Sequence, residues 1–378
     1  MPKNIPAVSK TLFDKLTKLK ERDGFGNKSF EDWFHYITRD VSLARDVIAE
    51  TTMHDFLPMW LRNFAENLPY IRYGNDTEVC KGSKRQSIED LAEPMPEIIK
   101  SPPKGSGIVI GRGPDVFTHK HIEVLAGAVH SGRYKGFIGA SDGMLIECLK
   151  NDLVPDITLS VDGSPIITKW YDHPLVEKYG AQLKVILMLS VHNSVFQVLR
   201  KNRVQIYWVV PLFDNFTKDT SYTKMHRLMT TTEINLKPIS AMTAGGCAGN
   251  ALWAAVADLF KRSPIGLIGY TCGYPEGYNI EKTSYFSTAV EECKKVNVNP
   301  ASIISSFTKE YYHPYFKCKA YTDGVFETYR ESFLQMQTQT YPWYDFYGGT
   351  WNLTEGGVLF GPKIKCATLE EFLCKFKT

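Results

Sequence analysis

The sequence lacks most of the features that reveal a function directly. Its eight cysteines form no CxxC pair, and no group of His and Cys residues has zinc-binding spacing. The formal net charge is only +3, which does not indicate binding to nucleic acid. The longest apolar runs, such as residues 184–190, are far shorter than the ~18 residues of a membrane-spanning helix. We therefore expect no zinc module, no nucleic-acid partner and no membrane span.

We also expect no signal peptide. Residues 1–16 do not contain the basic region and apolar run of a signal peptide. Cysteines scattered along a chain of 378 residues are typical of a reducing compartment. The sequence predicts a cytoplasmic protein.

The chain does contain enough apolar and aromatic residues, 43% and 13%, for a large core. Between residues 107 and 274, short β-branched runs such as GIVIG, DITLSVD and PIGLIGY alternate with segments of helical periodicity. Nearly continuous apolar strands separated by helices are typical of a parallel sheet covered on both faces. The pattern predicts the α/β class, as a Rossmann-like, doubly wound, mainly parallel sheet with an N-terminal helical subdomain.

Changes in composition and hydrophobic periodicity along the sequence also predict domain boundaries. Residues 10–73 have helical spacing, and a Pro-, Gly-, Ser- and Lys-rich connection follows. Beyond residue 274 the pattern is less regular, with helices predicted over 324–338 and 369–376. The predicted organisation is an N-terminal helical region (1–73), a linker (74–106), a Rossmann-like domain (107–290) and a helical or irregular extension that completes the domain (291–378).

In an open α/β sheet, ligands bind beyond the carboxyl ends of the strands. The residues that follow the predicted strands are small, polar or acidic, which favours a ligand-binding cleft over a structural rim. They include Gly111, Arg112, Gly113, Pro114 and Asp115; Ser141 and Asp142; Asp162, Gly163 and Ser164; and Tyr270, Thr271, Cys272, Gly273 and Tyr274.

The turn after the first strand lies in GIVIGRGPDV, residues 107–116. Gly111 and Gly113 permit a tight turn with close backbone approach, and the start of a following helix offers N–H groups to an anion. A dinucleotide-binding turn would have a third glycine where Val116 stands. The turn therefore predicts a mononucleotide site; an ordinary strand-to-helix turn is the alternative.

A second glycine-rich segment, TAGGCAGN at residues 243–250, precedes a predicted helix that Asn250 would cap. It is not a Walker A loop, because the required lysine is absent. Because the segment lies at the strand-end rim, we predict that it contacts a phosphate or a ribose. The alternative is that the glycines let the helix pack closely on the sheet.

Asp162 ends a predicted strand, where a carboxylate is costly unless it is hydrated, hydrogen-bonded or bound to a cation. Mg²⁺ takes one or two carboxylates together with substrate phosphates. Asp162 is therefore the candidate metal ligand, with Asp142 or Asp156 beside it. The alternative is that Asp162 only caps the next turn.

Two histidines, His173 and His192, are candidate general bases. His173 and His192 stand near predicted helix starts, where a capping or structural role is favoured. His119 and His121 are two residues apart and would not share a helix face, so both are predicted to be exposed to solvent.

Four motifs occur in order over residues 107–285, nearly half the chain: GIVIGRGPDV, FIGASDGMLIECLKNDLVPDITLSVDGSP, TAGGCAGNALWAAVADLF and PIGLIGYTCGYPEG. Their order and spacing resemble the 6-hydroxymethylpterin diphosphokinase MptE-like family, which includes the motility accessory factors of flagellar glycosylation. A late segment, NLTEGG at residues 352–357, looks like the N-x-T-E-G-G piece of the motility-factor branch.

The resemblance implies a Rossmann-like domain, related to bacterial sialyltransferases, that acts on a nucleotide. The residues it places around that nucleotide are Gly111, Gly113, Pro114, Ser141, Asp142, Asp162, Gly246, Gly249 and Asn250. Two positions depart from the family pattern. Asp115 follows Pro114 where the family has serine, and Thr271 stands where the family has aspartate.

Our leading prediction is a Mg²⁺-dependent diphosphokinase, which in this family transfers a diphosphate from ATP to the hydroxymethyl group of a pterin. Such a transfer depends mainly on positioning and charge neutralisation. Asp162 and Asp142 would be its catalytic residues, and Tyr270 or Tyr274 would stack on the pterin.

The alternative that the resemblance implies is a glycosyltransferase whose donor is a CMP-activated nonulosonic acid. It requires a general base near a small-molecule or protein acceptor, and His173, His192 or His313 could serve. A nucleotide-binding module without catalysis is a third reading, favoured by Asp115 and Thr271. The sequence does not predict the oligomeric state.

Overall fold

The structure, a computed structural model, describes residues 41–73, 86–96, 103–212, 214, 219, 221–231, 238–283, 299 and 308–376. Its strands are β1 (Gly107–Ile110), β2 (Phe137–Ser141), β3 (Ile157–Ser160), β4 (Lys184–Met188), β5 (Gln205–Leu212), β6 (Ala241–Thr243), β7 (Ile265–Ile268), β8 (Tyr274–Pro275), β9 (Thr308–His313), β10 (Cys318–Asp323), β11 (Thr350–Asn352) and β12 (Ile364–Cys366).

Its helices are α1 (Val41–Tyr73), α2 (Asp115–Thr118), α3 (His121–His130), α4 (Asp142–Lys150), α5 (Pro174–Tyr179), α6 (Asn193–Lys201), α7 (Tyr222–Met229), α8 (Ala248–Ala254), α9 (Gly324–Thr338), α10 (Pro342–Phe346) and α11 (Leu369–Lys375). A π-helical turn, Ala255–Leu259, continues α8. Among these described helices, none has the length and apolar character needed to cross a membrane.

Nine of the strands form one sheet, in the order β12-β11-β7-β1-β2-β3-β4-β5-β6. Every neighbouring pair in this sheet is parallel. The predicted α/β class with a mainly parallel sheet is therefore confirmed. The strand order runs outward from β1 in one direction through β2 to β6 and in the other through β7.

Helices cover both faces of the sheet. Successive side chains of a strand point to opposite faces, so each strand contributes apolar side chains to both layers of helices. Ile108 and Ile110 of β1 pack in a buried cluster with Leu125 of α3. On the other face, a Cβ added at Gly139 of β2 would lie 3.1 Å from Leu252 of α8. Gly139 thus lets α8 lie close to the middle of the sheet.

The chain forms two compact units. One contains Met59–Tyr270, Glu331–Glu355 and Leu359–Thr378, and it includes the nine-stranded sheet. The other contains Met1–Pro58, Thr271–Arg330 and Gly356–Val358. Its described strands form the antiparallel sheet β8-β10-β9.

The segment 291–378 contains strands that the sequence did not predict. β11 extends the large sheet next to β7, and β12 follows at the edge. These strands have three residues each and no apolar run, so their pattern carries little signal. The two helices predicted there are confirmed as α9 and α11.

Helix α1 confirms helical structure in part of the predicted N-terminal region; residues 1–40 lie outside the described residues. Its Asn63 side chain donates hydrogen bonds to the carbonyls of Gly163 (2.9 Å) and Ser190 (2.8 Å). Asn67, one turn later, does the same for the two residues that flank Ser190, at 3.1 and 2.8 Å. Both asparagines are buried. The helix therefore holds the loops that follow β3 and β4.

The predicted linker is more than a connection where the structure describes it. The carbonyl of Gln86 accepts a hydrogen bond of 3.1 Å from the backbone N–H of Trp208, and Ser87 forms a parallel bridge with the same residue of β5. Ile88, in the next turn, is buried. This part of the chain packs along β5.

Candidate functional site

All carboxyl ends of the nine parallel strands lie along one edge of the sheet. The strand order changes direction between β1 and β7, and in open α/β sheets the ligand crevice forms at such a point. The loops after β1, β2 and β3 bring most of the predicted site residues to this edge.

The loop after β1 is bound tightly to the loop after β7. The backbone N–H groups of Gly111 and Gly113 donate to the carbonyls of Ile268 and Gly269, each at 2.8 Å. A Cβ at Gly111 would lie 2.8 Å from the Gly269 carbonyl oxygen, and Gly269 has a left-handed φ of +69°. The two glycines therefore allow the close backbone approach that the sequence predicted, and the approach joins two strands.

Pro114 and Asp115 follow directly. Pro114, with φ of −60°, stands immediately before α2, and Asp115 opens that single-turn helix. Asp115 is buried, with 4% of its surface exposed. The acidic residue that departs from the family pattern therefore points into the protein rather than toward solvent.

Arg112, between the two glycines, was placed by the sequence at the strand-end edge but was given no role there. Its Nη1 donates a hydrogen bond to the carbonyl of Gly143, at the start of α4. The guanidinium carbon lies 4.3 Å from the centre of the Trp170 ring system. Its position between two glycines of a strand-end turn is the feature of the sequence that could have identified it as a site residue.

Asp142 lies at the carboxyl end of β2 and is 8% exposed. One carboxylate oxygen accepts the backbone N–H of Gly143 and the other accepts the Ser160 hydroxyl, each at 2.7 Å. Burial raises the pKa of Asp142 from its ordinary value of 3.8 to about 6. The two hydrogen bonds and the charge of Arg112 act against that rise, whereas the charge of Asp162 adds to it.

Two buried hydroxyl groups lie beside this carboxylate. Ser141 is 5% exposed, and its Oγ has no hydrogen-bond partner among the described residues. Tyr171 is fully buried, and burial together with the charge of Asp142 raises the pKa of its phenol. Ser160 and Tyr171 were not predicted, because a serine that ends an apolar strand carries no distinctive pattern.

Asp162 is exposed to solvent in the loop after β3. Its carboxylate accepts the backbone N–H of Ser164 at 2.8 Å, so it caps the turn that leads into the short helix Pro165–Trp170. Among the described residues, no three His, Cys, Asp or Glu side chains are grouped as a metal site. The contact matches the capping alternative, and the metal role stays a prediction.

The second glycine-rich segment forms a left-handed turn before α8. Gly245 and Gly246 have φ of +55° and +87°, and Gly246 is exposed. Cys247 is the N-cap of α8, so the prediction that Asn250 caps the helix was wrong. The buried Asn250 side chain instead donates a 2.6 Å hydrogen bond back to the Gly245 carbonyl.

Gly249 lies over the ring of Tyr270. A Cβ at Gly249 would be 3.2 Å from that ring, and the Tyr270 hydroxyl donates to the Gly249 carbonyl. Tyr270 is 5% exposed and packs near Phe333. Tyr274, in the other unit, is 4% exposed and donates to the carboxylate of Asp323 at 2.8 Å. Neither ring is open to solvent for stacking on a ligand.

The histidines divide into two groups. His173 and His192 are N-caps of α5 and α6, and each Nδ1 accepts a backbone N–H at 3.2 Å, which confirms the favoured capping role. The predicted exposure of His121 was wrong, because it is 1% exposed. His119 ends α2 and His121 begins α3, so the two residues do not share one helix as the prediction assumed.

His121 contacts the NLTEGG segment. Its Nε2 lies 3.2 Å from the Glu355 carboxylate. Burial opposes ionisation of Glu355, but the His121 contact and a backbone N–H from Leu369 lower its pKa. In the same segment, the Thr354 hydroxyl accepts the backbone N–H of Tyr270 at 3.0 Å. The segment therefore supports the loop after β7.

No protein-family model matches the chain, and no curated protein matches it in sequence. Among solved structures, its fold is similar to that of the MAf glycosyltransferase from Magnetospirillum magneticum AMB-1, with a TM-score of 0.51 and 12% sequence identity. The similarity covers 85% of this chain and 42% of that chain, so this chain spans less than half the length of that enzyme. At this identity the comparison shows a similar fold and no more.

Proposed function

We propose that this chain is a glycosyltransferase whose donor is a nucleotide-activated sugar, a CMP-activated nonulosonic acid. The observation that carries the proposal is the buried carboxylate of Asp142 at the switch-point edge, with a pKa of about 6. A general base is most effective when its pKa lies near the working pH. The fold of the MAf glycosyltransferase supports the same class of reaction.

In the proposed reaction, Asp142 accepts the proton of the acceptor hydroxyl. Each oxygen of a carboxylate accepts more than one hydrogen bond, so the bonds from Gly143 and Ser160 leave acceptor capacity on both oxygens. The acceptor oxygen then bonds to the anomeric carbon of the sugar. The bond from that carbon to the phosphate oxygen breaks, and CMP leaves with the electron pair.

The Mg²⁺-dependent diphosphokinase, our leading prediction from the sequence, has less support than this alternative. The similar solved structure is a glycosyltransferase. One carboxylate oxygen of Asp162, the predicted metal ligand, accepts a hydrogen bond from the Ser164 backbone N–H. Among the described residues, Asp162 does not belong to a group of three His, Cys, Asp or Glu side chains that could hold a metal ion. The binding experiment therefore includes ATP and Mg²⁺ as the test of the diphosphokinase.

The first experiment is calorimetric titration of the full chain with CMP and with ATP, each with and without Mg²⁺. A glycosyltransferase of this type is expected to bind CMP without metal. Binding of ATP only in the presence of Mg²⁺, with no binding of CMP, would overturn the proposal in favour of the diphosphokinase. Asp162→Asn is the matched test of the metal role, since it should abolish any Mg²⁺ dependence that exists.

The second experiment tests whether Asp142 is the general base by measuring how the rate of transfer depends on pH. Because the base acts when ionised, kcat/KM for transfer is expected to rise as the pH increases through about 6. Asp142→Asn should lower the rate by roughly 10²–10⁴-fold and remove this rise. A variant that keeps the parent's rate and pH profile would exclude Asp142 as the base.

The stability of the protein gives a readout of Asp142 that does not require a substrate. Its folded pKa of about 6 lies above the ordinary 3.8, so its stabilising contribution is full below pH 4 and is lost as the pH rises to 6. The free energy of unfolding of the parent should therefore fall by up to ~3 kcal/mol more than that of Asp142→Asn across this window. Urea unfolding at several pH values measures the difference.

A further inference from the structure

Two cations lie over one indole ring at the candidate site. The Arg112 guanidinium carbon is 4.3 Å from the centre of the Trp170 ring system, and the Lys169 ammonium nitrogen is 4.6 Å from it. Phe117 adds a second ring, 5.7 Å from the same guanidinium carbon. We call Arg112, Lys169 and Trp170 the indole-cation cluster.

The backbone around the cluster is fixed from several loops. Gly111 and Gly113, on either side of Arg112, are both hydrogen-bonded to the loop after β7. The Arg112 side chain donates to Gly143 at the start of α4. Trp170 ends the short helix that Asp162 and Ser164 begin, and the next residue, Tyr171, is fully buried. A guanidinium held in this way loses little further freedom when it binds a ligand.

The cluster also balances the negative charge of the edge. The charge of Arg112 lowers the pKa of Asp142, and the charge of Asp162 raises it, so these groups interact across the site. Two carboxylates alone would repel a nucleotide phosphate. Arg112 and Lys169 add two positive charges at the same place, and Lys169 is exposed to solvent.

We infer that Arg112 and Lys169, held on Trp170, bind the phosphate group of the nucleotide donor. The inference rests on the proposed function for the identity of that donor. A planar guanidinium matches phosphate oxygens in pairs of hydrogen bonds, and an ammonium adds a second point of charge. When the bond from the anomeric carbon to the phosphate oxygen breaks, the phosphate gains negative charge, and the two cations stabilise the leaving CMP.

The test compares ligands with and without the phosphate. Calorimetric titration of the parent with CMP and with cytidine gives the contribution of the phosphate to binding. In Arg112→Gln, affinity for CMP should fall at least about tenfold while affinity for cytidine stays unchanged. Lys169→Gln should weaken CMP binding less, by about threefold, because an ammonium does not form the paired hydrogen bonds of a guanidinium. Arg112→Lys should lie between the parent and the glutamine variant.

The matched control is a second indole that carries two cations. Lys365 and Lys375 lie 5.5 and 4.7 Å from the Trp351 ring, and Lys365 also bonds to the carbonyl of Gly348, before β11 begins. Lys375→Gln should leave the affinity for CMP unchanged. Equal thermal unfolding of all variants shows that a loss of binding is not a loss of folding.

The outcomes separate this inference from the proposed function. If Arg112→Gln binds CMP as tightly as the parent does, the inference is wrong and the proposed donor stands. If the parent binds ATP instead of CMP, and Arg112→Gln weakens ATP but not adenosine, the phosphate role stands and the proposed donor is wrong. Binding of neither nucleotide by the parent would overturn both.

Discussion

The two glycine-rich segments of the large unit look alike in the sequence but use their glycines differently. In the turn after β1, Gly111 lies directly against Gly269, and the pair allows two strand ends to touch. In the turn before α8, Gly245 and Gly246 adopt left-handed backbone conformations, and Asn250 closes the turn from inside the helix. The first segment needs glycine for space, and the second needs it both for space at Gly245 and for the left-handed backbone conformation of Gly245 and Gly246.

The difference bears on which segment meets a ligand. The N–H groups of Gly111 and Gly113 are already used between strands, so this turn offers Arg112 rather than its glycine amides. In the second segment, Asn250 and the Gly249 carbonyl are used internally, and Gly246 is the exposed residue. A glycine-rich turn can thus support a site through the residue that it positions.

The largest expected effect is that of Gly269→Ala. A Cβ there would lie 2.1 Å from the Gly111 carbonyl oxygen, on a residue whose φ is +69°. Overpacking and a left-handed alanine together should lower the free energy of unfolding by roughly 2–5 kcal/mol. Urea unfolding followed by tryptophan fluorescence measures it.

Gly127→Ala is the control for that change. Gly127 lies in α3 with no other atom within 4 Å of an added Cβ, so the substitution should stabilise the protein by up to ~1 kcal/mol. Similar stabilities for the two variants would mean that the loops after β1 and β7 are not in close contact.

An intermediate effect is expected for Asn250→Ala. The substitution removes the donor to the Gly245 carbonyl in a buried position and should cost about 1–3 kcal/mol. Asn151→Ala is the control, because Asn151 makes a comparable bond to the Glu147 carbonyl at a partly exposed helix end, where water can replace it. If Asn250→Ala were as stable as the parent but bound nucleotide less tightly, the ligand role predicted from the sequence would be the better account.

The smallest expected effect is that of Tyr270→Phe. The ring stays in place, and only the hydroxyl bond to Gly249 is lost, which should cost about 1 kcal/mol. Thermal unfolding of the variant and the parent measures this cost. Tyr312→Phe, at a side chain that is 56% exposed, is the control and should leave the thermal stability unchanged. A loss of nucleotide binding in Tyr270→Phe without a loss of stability would contradict the structural role given to this hydroxyl.

The parts of the fold that the sequence predicted are those with a long or strongly apolar pattern. GIVI of β1 and ITLS of β3 are wholly buried, and they lie in the short β-branched runs that identify them as strands. TWN of β11 and IKC of β12 are strands because β7 and its neighbours offer them a partner, which no local pattern records.

For the candidate site, the sequence placed Asp142 and Asp162 at strand ends, where the structure has them. It did not separate the buried, perturbed Asp142 from the exposed Asp162, because burial depends on Ser160, Tyr171 and the packing of α4. It likewise missed the partnership of Arg112 with Trp170, since the two residues are distant in the chain and meet only when β1 and β3 lie in one sheet. Contacts between residues far apart in the chain depend on the order of the strands in the sheet, which local sequence patterns do not record.

The asparagines of α1 carry a consequence for how rigid the binding edge is. Asn63 and Asn67 hold four backbone carbonyls in the loops that follow β3 and β4, from positions a hundred or more residues earlier in the chain. Loops restrained in this way lose less conformational entropy when a ligand arrives. We therefore expect the affinity of the candidate site to depend partly on two amide side chains of α1, so that selection for tighter or looser binding can act there without altering any residue that meets the ligand.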